Sequence, residues 1–505
     1  MPSSGPCALP RLCVTALAGG GGKTLLTLGL AGALRRQGLT VQPFKKGPDY
    51  IDAAWLALAA GRPCTNLDPY FLPPERLRAL FVHTLRTACA VFSGPGGADV
   101  AGQAASVLGL VEGNRGLFDG LDVAGSCSTA ALARELACPV LLSLDCTKMT
   151  RTAAAVVRGV QAFEPDVPLV GVVLNRVGSA RHENLLRRAL ETYTDLPVLG
   201  LARHAPPFTA AAFWPATPEL AATVSADQTT SAPHATGTPP PDPAPAVCIC
   251  SAAPRALVVP PVVAERTPCA APAPARETAP RIGYVRDAAL WFYYGENLEA
   301  LERAGARLIR LSTLDAAPWP ALDGLYLGGG FPEDCAAELS LSPQLTGLRR
   351  LADAGLPIYA ECGGFMLLSQ GIEREGRLWP MAGIFPVTAQ FLPRPQGLGY
   401  VCGRVTAANP FFPLGLELRG HEFHYSRCRW QGNPPHFALR LDKGVGMGRA
   451  QGQTLDGLLH RQVWASYTHI FAPAVPCWAH NFAAAARAFA ERARKKRENS
   501  GQARG

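Results

Sequence analysis

Two groups of residues in this 505-residue chain have the types and spacing that chemistry requires. The first is Gly19-Gly20-Gly21-Gly22-Lys23-Thr24. Consecutive glycines at the head of a helix leave backbone N–H groups to cradle phosphate oxygens. Gly20 and Gly22 would shape that cradle, Lys23 would neutralise charge on the β and γ phosphates, and Thr24 would hold Mg²⁺. Leu17 stands where the common G-x-x-x-x-G-K-T form has its first glycine, so a Gly-rich turn without a ligand is the alternative. The second group is Glu361-Cys362-Gly363-Gly364. A thiol between an apolar strand and a helix is exposed to substrate, and the helix N-terminus is expected to lower its pKa; a buried structural cysteine is the alternative.

Each group has companions. Lys45-Lys46-Gly47-Pro48-Asp49-Tyr50-Ile51-Asp52 follows a strand candidate at Val41–Phe44 and offers cations and carboxylates to an anionic substrate beside a metal-bound nucleotide. Glu112 directly follows the apolar run Val107–Val111, a placement suited to a metal-facing carboxylate, and opens Glu112-Gly113-Asn114-Arg115-Gly116-Leu117-Phe118-Asp119-Gly120. Either carboxylate group alone reads more readily as a solvated loop; together with the glycine loop they point to ATP and Mg²⁺. Asn175, ending the run Leu169–Leu174, either bonds an adenine edge or caps the next turn. Arg151 is a weaker candidate for a phosphate or substrate cation. For Cys362, His469 is the candidate base, and N–H groups near Gly330 and Gly363 are candidates to stabilise an oxyanion. His421 and His424 lack a third ligand in a recognisable pattern, which favours substrate contact or domain-interface bonding over zinc.

The elements that must position these residues read as α/β. Strand candidates at Leu12–Leu17, Val107–Val111, Pro139–Leu144 and Leu169–Leu174 alternate with helical stretches at Thr24–Gln37, Ser128–Leu136 and Thr152–Ala162, a pattern of mostly parallel sheet. From Phe213 the chain turns Pro-, Ala-, Thr- and Ser-rich until Arg281-Ile282-Gly283-Tyr284-Val285, with a local strand candidate at Ala256–Val263. Strands at Gly324–Leu327 and Leu356–Ala360 then place the Gly330 turn and Cys362 at strand ends, where α/β sites gather. The boundaries are 1–212, a linker at 213–280, a second α/β domain at 281–490 and a basic flexible tail at 491–505.

Composition narrows the function. An apolar content of 48% over 505 residues supports two cores of about 200 residues each. Part of the formal charge of +9 lies in Arg492, Arg494, Lys495, Lys496 and Arg497, which reads as a solvated end and not a nucleic-acid surface. The 15 cysteines form no regular framework, which fits free thiols in a reducing cytoplasm. The apolar opening at 12–34 is interrupted by glycines and Lys23, so no signal segment or stable membrane association is expected.

Taken together, Gly20-x-Gly22-Lys23-Thr24, Gly47-Pro48-Asp49-Tyr50-Ile51-Asp52, the Glu112–Gly120 motif, Glu361-Cys362-Gly363-Gly364 and Gly420-His421-Glu422-Phe423-His424-Tyr425-Ser426 resemble the cobyrinic or hydrogenobyrinic acid a,c-diamide synthases of corrinoid biosynthesis, over about residues 12–210 and 281–485. The resemblance implies a dethiobiotin-synthetase-like P-loop domain followed by a class I glutamine-amidotransferase-like domain. It implies ATP and Mg²⁺, with glutamine and a tetrapyrrole polycarboxylate as partners, and it leaves a homodimer open. The implied reaction activates the a and c side-chain carboxylates as acyl phosphates and amidates them. Cys362 and His469 match the nucleophile and base. Thr24, Asp49 and Glu112 fall on the metal side, Asp119 near the activated substrate, and Lys46, Tyr50, Asp52 and Arg115 on the substrate side. Many class I members carry a glutamate two residues beyond the histidine; this chain has Phe471, and the resembled synthases form a branch without that carboxylate. Asn114, Arg115, Lys46 and Ala53-Ala54-Trp55-Leu56 depart from the corrin-making pattern toward a branch thought to amidate sirohaem, the second expectation. A third, an ATP-controlled binding protein with a degenerate second half, is motivated by Leu17 and Phe471.

Overall fold

The structure, a computed structural model, describes residues 9–90, 107–203, 248–249 and 279–502. The chain divides into two compact units, Met1–Glu265 and Arg266–Gly505. Apart from 248–249 and 279–280, the linker expected at 213–280 lies outside the described residues, as does the strand candidate at Ala256–Val263.

The first unit is built on an eight-stranded sheet ordered β3-β2-β4-β1-β5-β6-β7-β8. Its strands are β1 Arg11–Ala16, β2 Thr40–Lys46, β3 Thr65–Leu67, β4 Val107–Glu112, β5 Val140–Asp145, β6 Leu169–Val177, β7 Val198–Arg203 and β8 Cys248–Ile249. All neighbouring pairs are parallel except β7 with β8. Central strands read as continuous apolar runs because helices cover both faces, and β4 is buried throughout. Val14, Val41, Leu110, Leu141 and Val173 from five strands pack with Leu26, Leu30 and Ala31 of the helix Lys23–Arg36, named α1. The chain works outward from β1 in both directions, so β1 and its neighbours form the switch point beyond whose C-terminal ends ligands bind in such sheets.

The second unit has a ten-stranded sheet. Its first half is parallel, ordered Arg307–Leu311, Arg281–Val285, Gly324–Leu327, Ile358–Glu361, Val463–Ser466. The second half, unforeseen in the sequence, continues antiparallel through Gln453–His460, Phe437–Lys443, Gly397–Val405 and Glu417–His424. Alternation along the strands feeds two cores. Leu325, Leu327, Ile358 and Ala360 join one with Phe365, while Tyr326, Tyr359 and Trp464 join the other with Trp478 and Phe482. Trp478 and Phe482 belong to the helix Cys477–Gln502, which continues through most of the stretch expected as a flexible tail. Its packed N-terminal turns support helical propagation into a segment whose Arg492, Lys495 and Lys496 are exposed.

Candidate active sites

In the first unit the glycine loop links β1 to α1. Gly20 and Gly22 take φ values of 73° and 83°, left-handed conformations that glycine adopts without a Cβ penalty, and Gly22 caps α1. The loop is braced from the neighbouring strands: Ser143 Oγ and Asn175 Nδ2 both donate to the Gly21 carbonyl, at 2.9 and 3.2 Å. Asn175 Oδ1 accepts from the Arg176 N–H. Its amide thus braces the loop through one donated and one accepted bond, a role the sequence did not show. A Cβ on Gly22 would collide with Asn175 Nδ2. Gly22→Ala is therefore expected to weaken ATP binding by about 5- to 150-fold, since strain of about 1–3 kcal/mol falls on the cradle itself; titration calorimetry with Mg-ATP measures it, and unchanged affinity would exclude the cradle.

Beside the loop, β2 and β4 pair with Lys45 opposite Glu112. Both residues are fully buried, and Lys45 Nζ lies 2.9 Å from Glu112 Oε1, 2.7 Å from Asp52 Oδ2 and 3.9 Å from Asp49 Oδ2. Thr24 Oγ1 donates to Glu112 Oε1 at 2.7 Å, tying α1 to the same carboxylate. Asp49 Oδ1 accepts from the Asp52 N–H, and Asn66 Nδ2 donates to the carbonyls of Gly47 and Asp49, fixing the turn after β2. Thr24, Asp49, Asp52 and Glu112, singled out in the sequence, are thus brought together; Asp52 stands with the metal-side carboxylates.

Charge here is closely balanced. Burial works against the Lys45 ammonium, yet Glu112, Asp49 and Asp52 hold its pKa above the ordinary lysine value. Burial raises the Glu112 and Asp49 carboxyls despite Lys45. The Lys23 ammonium is pushed down by burial and then by Lys45. Among the described residues no three His, Cys, Asp or Glu side chains form a metal cage on their own. Glu112 Oε2 is nevertheless buried without a hydrogen-bond partner in the structure. A carboxylate with an open oxygen next to a threonine hydroxyl suits Mg²⁺, which binds through one or two carboxylates and completes its shell with hydroxyl, phosphate and water oxygens.

The other first-unit candidates surround this cluster less tightly. Lys46 points away from Lys45's carboxylates; burial lowers its pKa, Asp68 opposes that, and Arg115 adds repulsion. Tyr50 is buried at the head of the helix Ile51–Ala60. Arg115 is exposed with φ 51°, and Asp119, also exposed, accepts from the Gly116 N–H, closing the turn. Asn114 packs on Gly47, where a Cβ would approach its Nδ2 to 2.9 Å. Arg151 stacks over the Tyr193 ring.

In the second unit Cys362 sits between the strand Ile358–Glu361 and the helix Gly363–Leu368 with φ 47° and ψ −103°, a strained turn of the nucleophile-elbow kind. Its N–H donates to Ser466 and its Sγ faces the Phe423 carbonyl at 3.5 Å. The Gly364 N–H donates to Gly328, drawing the elbow onto the turn after Gly324–Leu327. A Cβ on Gly363 would stand 3.0 Å from the Gly330 nitrogen, and one on Gly329 would collide with His469 Cε1. The structure therefore brings the elbow, the Gly330 turn and the His469 ring together.

One expectation changes. The Cys362 thiol is only 2% exposed, and its pKa is pushed up, not down: burial dominates and Glu333 adds to it, the Gly363 N–H opposes them, and Glu361 and Asp456 add smaller upward contributions. The resting thiol is thus protonated and needs a base. His421 and His424, expected to contact substrate or bond at a domain interface, are both buried. His421 and His469 exchange backbone hydrogen bonds and stack with centroids 4.8 Å apart. Burial, then His469, lowers the His421 pKa well below the ordinary imidazole value. His424 stacks on Tyr467 at 3.7 Å.

The segment carrying His469 is held from two sides. Asp456 accepts from the N–H groups of Tyr467 and Thr468 and from Thr468 Oγ1. Behind it, Glu361 accepts from the Ile470 N–H, and Asn297 bonds Ile470 O and the Ala472 N–H. Lys45 and Glu361 stand in the sequence motifs without an individual role. The register of β2 against β4 was the missing signal for Lys45; nothing local marked Glu361 beyond its neighbour Cys362.

Comparison with known proteins agrees with both halves. Residues 12–211 match the CobQ/CobB/MinD/ParA nucleotide-binding domain, and residues 281–475 match the CobB/CobQ-like glutamine amidotransferase domain. The chain is 39% identical to the cobyrinate a,c-diamide synthase of Magnetococcus marinus over 94% of its own length and 96% of the relative's. The chain belongs to the cobyrinate a,c-diamide synthase family. It is also 40% identical to the synthase of Syntrophotalea carbinolica, covering 91% of this chain and 95% of that one. With the synthase of Salmonella typhimurium it shares 35%, covering 93% and 96%. The family's two halves coincide with the glycine-loop cluster and the Cys362 elbow. Among the described residues no helix is long and apolar enough to cross a membrane.

Proposed function

We propose that this protein amidates the a and c side-chain carboxylates of cobyrinic or hydrogenobyrinic acid, using ATP to activate them and glutamine to supply nitrogen. The observation that carries the reading is the pairing, on one chain, of a phosphate-cradling loop beside buried carboxylates with a thiol elbow beside a buried histidine. A carboxylate is a poor acyl donor at neutral pH, and free ammonia is scarce; the two sites answer those two difficulties.

At the elbow, Cys362 Sγ attacks the side-chain amide carbon of glutamine as His469 takes the thiol proton. His469 then returns it to the departing nitrogen, releasing ammonia, while N–H groups at Gly330 and Gly363 receive the oxyanion. Water hydrolyses the resulting thioester to glutamate. At the glycine loop, the substrate carboxylate oxygen attacks the γ phosphorus of ATP, forming an acyl phosphate and ADP. Ammonia attacks its carbonyl carbon, loses a proton and expels phosphate, leaving the amide. Lys23 and the loop N–H groups balance phosphoryl charge. Mg²⁺, held by Thr24, Glu112 and Asp49, would supply further charge neutralisation on the phosphates. Asp119 and Arg115, exposed at the loop after β4, and Lys46, which Arg115 opposes electrostatically, would meet the substrate.

Turnover of cobyrinic acid, hydrogenobyrinic acid and sirohaem, compared side by side with product masses, tests the substrate. Double amidation of either corrinoid supports the reading; amidation of sirohaem alone would overturn it.

A further inference from the structure

We infer that Glu361, the residue immediately before the nucleophile, positions His469 in place of the triad carboxylate that Phe471 lacks. The inference rests on the proposed glutaminase reading of Cys362 and His469 and goes beyond it.

Phe471 is buried and lies edge-on to Tyr294, in an apolar setting with no carboxylate to offer. The imidazole is approached instead from the strand that carries the nucleophile. Glu361 Oε2 lies 3.5 Å from His469 Nδ1, and both side chains are fully buried. A carboxylate has about four lone-pair sites. Glu361 Oε1 fills two, accepting from Tyr359 Oη and the Ile470 N–H, each at 3.1 Å. Oε2 fills one with Tyr326 Oη at 3.1 Å. The site that remains is the one beside His469 Nδ1.

The donors are themselves fixed. Asn297 Nδ2 donates to Tyr326 Oη and to Ile470 O, and Asn297 Oδ1 accepts from the Ala472 N–H. One buried network therefore sets the carboxylate and the backbone just after His469 together, which fixes their separation. An Nδ1–H donated to Glu361, a bond that the 3.5 Å contact has still to close, would leave Nε2 for the thiol. During attack the Sγ proton moves to Nε2 and later to the leaving nitrogen, while Glu361 keeps the ring oriented and balances the imidazolium without taking a proton. The strained φ of 47° at Cys362 allows adjacent residues to address one ring from two sides.

The test is steady-state glutamine hydrolysis by the full-length protein. Glu361→Gln retains the shape and most hydrogen bonds but not the charge, and should lower kcat about a hundredfold while KM for glutamine stays within about threefold. Glu361→Asp withdraws the carboxylate by one methylene and should lower kcat about tenfold, which decides the matter if the glutamine variant does not fold. Tyr359→Phe, which removes a donor and leaves the carboxylate, should keep kcat within about fivefold. Wild-type-like kcat in folded Glu361→Gln, or in Glu361→Asp if only that folds, would overturn the inference, as would equal losses in Glu361→Gln and Tyr359→Phe. Cys362→Ser, assayed alongside, separates the two levels: if it still hydrolyses glutamine, the underlying reading fails, whereas its inactivity beside an active Glu361→Gln rejects the positioning role alone.

Discussion

Cys362→Ala is expected to abolish glutamine-dependent amidation, by at least about 10³-fold, with added ammonia restoring turnover. The size follows from the chemistry: no other group at the elbow can form the thioester, and loss of the nucleophile removes the step instead of slowing it. The small side chain also fits. Cys362 packs in a core with Leu290, Phe365 and Met366, and removing sulfur leaves a void much smaller than a leucine would. The elbow backbone stays tied by the Cys362 N–H to Ser466 and the Gly364 N–H to Gly328. Product formation with glutamine and with ammonium chloride, measured on one preparation, gives the ratio. Retained glutamine use would mean that Cys362 is the buried structural thiol its high pKa also permits. Loss with both nitrogen sources in a folded protein would remove the case for two separable sites.

Lys45→Met should do damage of another kind. Methionine fills a similar volume, but the substitution leaves Glu112 fully buried beside Asp49 and Asp52 without its direct ion-pair partner, with only the more distant Lys23 to balance three carboxylates. Breaking a buried ion pair by removing one partner costs about 3–5 kcal/mol, because the surviving charge is unpaired. The urea midpoint should fall accordingly, and amidation should be lost with glutamine and with ammonia alike, in contrast to Cys362→Ala. Adding Glu112→Gln to Lys45→Met should recover at least about 1 kcal/mol, since it removes the stranded charge, without restoring activity. A Lys45→Met protein as stable as the parent would show that the cluster is not an electrostatic unit.

How far the sequence reached depends on whether the relevant signal was local. The strand Arg281–Val285 and the run from β1 through the glycines into α1 were legible because apolar periodicity and glycine clusters act over a few residues. The antiparallel strands between Gly397 and His460 were not, because their half-buried faces have meaning only against a partner strand. Which of Lys45 and Lys46 meets Glu112 was hidden for the same reason: adjacent strand residues face opposite ways, and only the pairing of β2 with β4 decides it.

The sequence by itself determined the chemistry available: a phosphate loop with its lysine and threonine, acidic motifs after two strands, a cysteine at a Gly-flanked turn and a distant histidine. These are properties of residue type and short spacing, which the chain carries whatever its fold. Only the tertiary structure decided how that chemistry is balanced. It turned Asn175 into a brace, reversed the expected pKa of Cys362 and brought Glu361 to the back of His469. Burial and opposing charge act through space at a few ångströms, and residues separated by a hundred positions acquire those distances only when the sheets form.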